Sequence, residues 1–332
     1  MTRFARFAWG LLAYDVGVVA WGAYVRATGS GAGCGRHWPL CNGELVPRAP
    51  HVETLVELSH RTSSAVALGL TLLLFLWSRR AFGSGHVVRR CAALAVTLVV
   101  VEALIGAALV LFELVAHDAS AKRAMSVALH LLNTFFLLAT TALTAWWASG
   151  ASPVRIRGQG AVAWAAGVPL LALLVVGATG AVTALGDTLF PAVSVVAGLA
   201  QDLSRNAHFF LRLRALHPVL AVLTSALIVG AAHVTRALRP SWRVNALTRI
   251  ATALALAQLG AGLLDILTLA PTALQLVHLV LADALWISLV LTAAAAMADV
   301  SAPVGPPSRP LPPLSPNRQG LREESGAPAG VA

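Results

Sequence analysis

Eight apolar runs of roughly membrane-spanning length leave this chain few ways to fold. They fall at about 8–27, 58–78, 90–112, 124–148, 161–184, 214–236, 245–268 and 272–298. Hydrocarbon offers the backbone no water to bond, so a run of about 20 residues must satisfy its own amides as an α-helix. The composition agrees, with 58% hydrophobic and 11% charged residues. The expected fold is an all-α integral membrane protein with eight transmembrane helices. The first run reads as an uncleaved span, because it is long and passes straight into a glycine-rich motif. A net charge of +10 does not point to nucleic acid, since the basic residues are scattered between apolar runs and form no stripe with aromatics.

The connections sort by charge. Arg3, Arg6, Arg79, Arg80, Arg89, Arg90, Arg155, Arg157, Arg236, Arg239, Arg243 and Arg249 fall on one side with no acid among them. Glu44, Glu53, Glu57, Glu113, Asp118, Asp187 and Asp202 fall on the other. By the positive-inside tendency both termini face the cytoplasm, and residues 28–57 and 185–213 face outward. Cys34 and Cys41 then lie in oxidising surroundings, which favours a disulfide; zinc held with the intervening His37 is the alternative. Cys91 reads as an inert apolar residue. Only Lys122 among the 24 basic residues is a lysine, a bias that suggests a bacterial plasma membrane. Residues 301–332 are polar and proline-rich and read as a disordered cytoplasmic tail.

A repeat runs through the helices. Gly22-Ala23 and Thr28 match Gly177-Ala178 and Thr183, Glu102 and Gly106 match Gln258 and Gly262, and His60 matches His217, at nearly constant offset. His130 and His278 follow after a shorter final connection. Two pseudo-symmetric four-helix bundles are expected, residues 1–150 and 151–300, related by an axis along the membrane normal.

Four of the ten histidines, His60, His130, His217 and His278, stand a few residues inside the outer ends of even-numbered runs. A lone membrane histidine is commonly a packed polar residue. Four at matched positions point to function, because polar groups in spans are costly. Imidazole is a common axial ligand of haem iron, and a bundle core is where such cofactors sit. Two histidines would leave zinc or copper under-coordinated. Arg61, Arg212 and Arg214 stand where propionates would reach them. The first half reads Glu57-Leu58-Ser59-His60-Arg61 and the second Arg214-Ala215-Leu216-His217-Pro218. The carboxylate and the cysteine loop thus belong to the first half alone, so one site reads as reactive and the other as a holder. Asp15, Glu102, Asp265 and Asp283 are secondary candidates for a proton route, with interhelical hydrogen bonding as the alternative.

The stretch Gly22-Ala23-Tyr24-Val25-Arg26-Ala27-Thr28-Gly29-Ser30-Gly31, the segment from Cys34 through Trp38-Pro39-Leu40-Cys41-Asn42-Gly43, the motif at Glu57–Arg61 and the three further histidines resemble the haem A synthase family. The resemblance covers residues 8 to about 298. It implies successive hydroxylations of the C8 methyl of haem O, whose hydrate collapses to the formyl of haem A. It implies Glu57 as the catalytic carboxylate, His60 and His130 as ligands of the substrate haem, and His217 and His278 as ligands of an electron-transferring haem b. Cys34 and Cys41 would correspond to the family's loop disulfide. The second cysteine pair of some members has no counterpart in 185–213. The charge distribution and the depth of the four histidines put the haem sites toward the extracytoplasmic side, and haem O synthase as a partner is implied by the likeness. The electron donor is unspecified and self-association is left open. The residues alone also allow a bis-histidine cytochrome that only carries electrons, or a haem transporter.

Overall fold

The structure is a computed structural model and describes residues 1–298. The tail expected over 301–332 lies outside the described residues. The elements in order are α1 (Arg3–Ala27), a 3-10 turn (Ser30–Ala32), α2 (Val52–Ala81), α3 (Val87–Leu111), α4 (Ala121–Ala148), α5 (Ala161–Leu189), α6 (Val195–Asp202), α7 (Phe209–Leu238), α8 (Trp242–Leu267) and α9 (Thr272–Ala296). All but α6 are long and apolar enough to cross a membrane. Among the described residues there are no strands, only isolated bridges such as Val154 with Ala298.

Several helices extend past the apolar runs that announce them. α2 starts at Val52, α7 at Phe209, and α5 continues to Leu189. Hydropathy marks the width of hydrocarbon, whereas a helix ends where a cap or breaker satisfies its terminal groups. Ser120 Oγ accepts from Arg123 N at the start of α4, and Ser241 Oγ from Val244 N at the start of α8, each at 3.2 Å. Glu57 therefore lies in the second turn of α2 and is not a capping carboxylate. The four histidines lie seven to ten residues into their helices, about 10–15 Å along the axis. α6 is a short helix inside a stretch that reads as loop; Ser194 Oγ caps it through Ala197 N.

α1 packs against α2 and α4, and α3 against the same two; α5 packs against α7 and α9, and α8 against the same two. Between these sets α4 meets α5 and α9, and α1 meets α9. α4 and α9 are the most buried spans. At their seam Phe135 and Trp286 stack with centroids 5.1 Å apart, and Trp286 Nε1 donates to the Phe135 carbonyl at 2.6 Å. Leu12, Leu138, Leu285 and Leu289 fill the space around them. Outward faces such as Leu72, Leu73, Leu104, Leu223 and Leu263 stay exposed, as lipid-facing side chains do.

The α4–α5 contact is set by a glycine. A Cβ on Gly177 would stand 2.7 Å from Phe135 Cε2, whereas a Cβ on Gly167 of the same helix would meet nothing within 4 Å. Gly177→Ala is expected to cost about 1–3 kcal/mol through overpacking, read as a lowered melting temperature in detergent. Gly167→Ala is expected to change stability by about 1 kcal/mol or less.

Candidate functional site

The end of the first four helices at which the disulfide loop lies is organised by a buried ion pair. Glu57, 3% exposed, is one turn before Arg61 on α2. Arg61 Nε donates to Glu57 Oε1 at 3.0 Å, and its Nη2 reaches the same oxygen. The other carboxylate oxygen, Oε2, accepts from the Cys34 amide at 2.8 Å. Arg61 Nη1 donates to the carbonyls of His37 and Leu40, both at 2.7 Å. Those carbonyls belong to the ring closed by the Cys34–Cys41 disulfide, whose Cα atoms are 4.4 Å apart. Both thiols are thereby spent on each other, not on zinc. Gly33 lets the loop lie directly on α2, since a Cβ there would fall on the Glu53 carbonyl, and Thr54 Oγ1 donates to Gly33 O at 2.8 Å. One carboxylate thus ties the glycine-rich loop, the disulfide ring and the helix together.

Below this clamp, each of the four histidines rests against a glycine of a neighbouring helix. A Cβ on Gly22 would stand 2.8 Å from His60 Cε1, on Gly180 2.9 Å from His217 Cε1, on Gly262 3.1 Å from His278 Cε1, and on Gly106 4.0 Å from His130 Cε1. The glycine facing His217 is therefore Gly180. Gly177, which sequence matching sets opposite Gly22, lies one turn away and serves the contact with Phe135. His60 and His130 lie within electrostatic reach of each other, and so do His217 and His278. His217 Nδ1 is 3.2 Å from Thr179 Oγ1, and His130 Nδ1 is 3.1 Å from Glu102 Oε1. His278 Nε2 is 3.2 Å from Gln258 Nε2, and the Nδ1 of His60 is buried without a partner. Among the described residues no three His, Cys, Asp or Glu side chains gather as they would around a bare metal ion. The imidazoles are arranged as two pairs.

Residues 5–290 match the family model COX15-CtaA, described as cytochrome oxidase assembly protein. The chain belongs to this family. A Protoheme IX farnesyltransferase of Thermus thermophilus is 51% identical over 296 residues, 89% of this chain and 49% of that protein. The Heme A synthase of Geobacillus kaustophilus is 44% identical over 95 residues, 29% of this chain and 30% of its own length. That of Bacillus mycoides is 42% identical over 113 residues, 34% and 36% of the two chains. This member of the assembly-protein family spans about half the length of its Thermus relative.

The three arginines set aside for propionates all have protein partners. Arg61 holds Glu57 and the loop. Arg214 Nε donates to Asp202 Oδ1 at 2.8 Å and its Nη1 to Asp187 Oδ1 at 3.3 Å and Phe190 O at 3.1 Å. Arg212 Nη2 donates to Arg205 O at 3.0 Å. A further cation, Arg26, escapes sequence reasoning. Its Nη1 donates to Ala184 O at 2.7 Å and Thr188 Oγ1 at 3.1 Å, and its Nη2 to Gln275 Oε1 at 2.9 Å, so α1 is tied to α5 and α9. The available signal was a charge in the last turn of an apolar span, where an ionised group requires a partner. Of the secondary acids, Glu102 does hydrogen-bond between helices, whereas the buried carboxylates of Asp15 and Asp283 have no partner.

Breaking a buried ion pair from one side leaves an uncompensated charge. Arg61→Ala is expected to destabilise the protein by about 3–5 kcal/mol. Arg61→Lys should recover part of this, because one ammonium cannot span Glu57 and both loop carbonyls. Thermal unfolding in detergent measures both.

Proposed function

We propose that this chain is a haem A synthase, oxidising the C8 methyl of haem O to the formyl group of haem A, with a resident haem b as its electron carrier. The observation that carries this reading is the paired arrangement of four glycine-backed imidazoles with a buried carboxylate beside one pair only. Family membership supports it, as does the activity for which the Geobacillus and Bacillus relatives are named. In this reading His60 and His130 hold the substrate haem within residues 1–150, and His217 and His278 ligate haem b within residues 151–300.

The residues fit such groups. A haem iron takes two axial nitrogens, and each half offers two imidazoles. His217 is the clearest case, because Thr179 at Nδ1 favours the tautomer that leaves the Nε2 lone pair open. For His278, ligation through Nε2 requires that atom to leave Gln258. Bound haem b would supply one-electron transfer. Glu57 is one turn from His60, and donors on both of its oxygens hold the carboxylate in place. A fixed negative charge there favours positive charge developing at the reacting methyl carbon. The disulfide loop, drawn onto α2 by Arg61, covers the outer end of the substrate half and limits access of water.

The orientation proposed from the arginine distribution puts the disulfide loop and both haem sites on the extracytoplasmic side of a bacterial plasma membrane. Haem O is a farnesylated haem, so a protohaem farnesyltransferase must supply the substrate. The Thermus relative is named for that activity, and haem O synthase is the partner we propose.

The test is mass spectrometry of haems extracted from protein purified from cells that supply haem O. Haem A or hydroxylated haem O is expected beside haem b. Glu57→Gln, which keeps the side chain's shape, is expected to retain both haems and yield no oxidised product; full conversion by this variant would overturn the role of Glu57. His217→Ala is expected to lose the haem b spectrum. Haem b alone in the wild-type protein, despite available haem O, would establish an electron carrier instead.

A further inference from the structure

We infer that Glu102 is a positioning residue that sets the ligand strength of His130, and that the matching Gln258 leaves the second half without this charge, so that the two haems differ in potential. This deepens the function proposed above and rests on His130 and His278 being axial ligands. The observation is a repeated pair of positions with two changes, a carboxylate against an amide and Nδ1 against Nε2 as the ring atom it meets. On α3, Glu102 and Gly106 stand one turn apart and both face His130; on α8, Gln258 and Gly262 stand one turn apart and both face His278. The glycine gives the ring room, and the residue a turn earlier supplies its polar neighbour.

In the first half that neighbour is a carboxylate. Glu102 Oε1 lies 3.1 Å from His130 Nδ1, a contact outside hydrogen-bond alignment, and Nδ1 has no other partner; with the ring turned toward it, this oxygen is the acceptor for Nδ1–H. The carboxylate cannot drift, because Thr134 Oγ1 and Asn133 Nδ2 both donate to it, and Asn133 Nδ2 also reaches Leu98 O at 2.9 Å. Thr134 in turn donates to the His130 carbonyl at 3.0 Å, one turn back on α4. A carboxylate accepting from Nδ1–H fixes the imidazole tautomer and makes Nε2 a stronger donor, which stabilises the oxidised metal. Axial ligands and their hydrogen bonds are the protein's main control over haem potential. In the second half the neighbour is the neutral amide of Gln258, which meets Nε2 of His278 at 3.2 Å and leaves Nδ1 without a partner. It can accompany the imidazole but brings no charge. The first-half haem is therefore held at the lower potential.

A spectroelectrochemical titration of the purified holoprotein, loaded in cells that supply haem O, resolves this as two one-electron components. Glu102→Gln is expected to shift one component upward with both haems retained and to leave the other component in place. Glu102→Asp, which keeps the charge, should stay nearer the wild-type value than Glu102→Gln does. Unchanged potentials in Glu102→Gln with both haems bound would overturn the inference and leave Glu102 a structural partner of Asn133 and Thr134. Should Glu102→Gln fail to fold, Glu102→Ala is titrated in its place, and unmoved potentials with both haems bound decide against the inference. His130→Ala separates the two levels: loss of one haem supports the ligand assignment, whereas retention of both with unchanged spectra overturns that assignment and the inference with it.

Discussion

The structure depends on the close approach of helix backbones to imidazole rings at glycine. A histidine side chain in a span needs space that a neighbouring Cβ would occupy, and at Gly22, Gly180 and Gly262 a Cβ would crowd the ring at about van der Waals contact or inside it. Small residues let membrane helices approach one another where no hydrophobic force drives them together. Here the space gained is given to a ring. The consequence is geometric: each histidine is held at a fixed depth by its own helix and at a fixed height above its neighbour's backbone. His60 is thereby brought within reach of His130, and His217 within reach of His278.

On the loop side of the rings, each set of four helices closes its end with a guanidinium–carboxylate clamp, and the two clamps have opposite polarity. In the first, the helix contributes both Glu57 and Arg61, and Arg61 gathers loop carbonyls presented by the disulfide ring. In the second, the helix contributes Arg214, and the carboxylates come from the ends of α5 and α6. α6 takes the part that the disulfide ring plays in the first half, as the structured segment against which the clamp closes. A repeat can tolerate this exchange because the requirement in an apolar setting is pairing of the charge, not its sign. What changes is the charge presented one turn from the histidine: an anion near His60, a cation near His217.

Much of this was legible in the sequence, for identifiable reasons. The eight spans follow from a solvent that forbids unsatisfied backbone, which makes hydropathy a reliable guide to their existence. It is a poor guide to their ends, where caps such as Ser120 and Ser241 decide. The four histidines were legible because ionisable residues are rare in spans, and the cysteine pair because its loop carries the acidic residues. Other features lay beyond sequence reasoning. Gly177 and Gly180 are both plausible partners for His217, one turn apart, and only packing decides that Phe135 takes the first. Arg26 meets Ala184, Thr188 and Gln275, residues remote in sequence. The arginines set aside for propionates looked free because their partners, the loop carbonyls and Asp202, become neighbours only once the loops fold. α6 is too short and too weakly patterned to stand out within its connection.

Two sets of four helices with histidines backed by glycines at matched sequence positions need few substitutions to divide their work. The glycines and histidines fix where a ligand sits, and those are shared. The differences fall on groups that touch the far edge of an imidazole or the turn above it: Glu102 against Gln258, and Glu57 against Arg214. Each exchanges a carboxylate for a neutral or cationic group beside a histidine, although Glu57 is paired with Arg61 and Arg214 with Asp202 and Asp187. In a low-dielectric interior a charge at that range acts with little screening. Phe135 and Trp286 join α4 to α9, and Arg26 joins α1 to α5 and α9, so the two sets of helices are packed and hydrogen-bonded to each other while the electrostatics of their sites diverge. A scaffold of this kind is suited to keeping one site reactive and the other as its electron reservoir, which is the division of labour proposed for this chain.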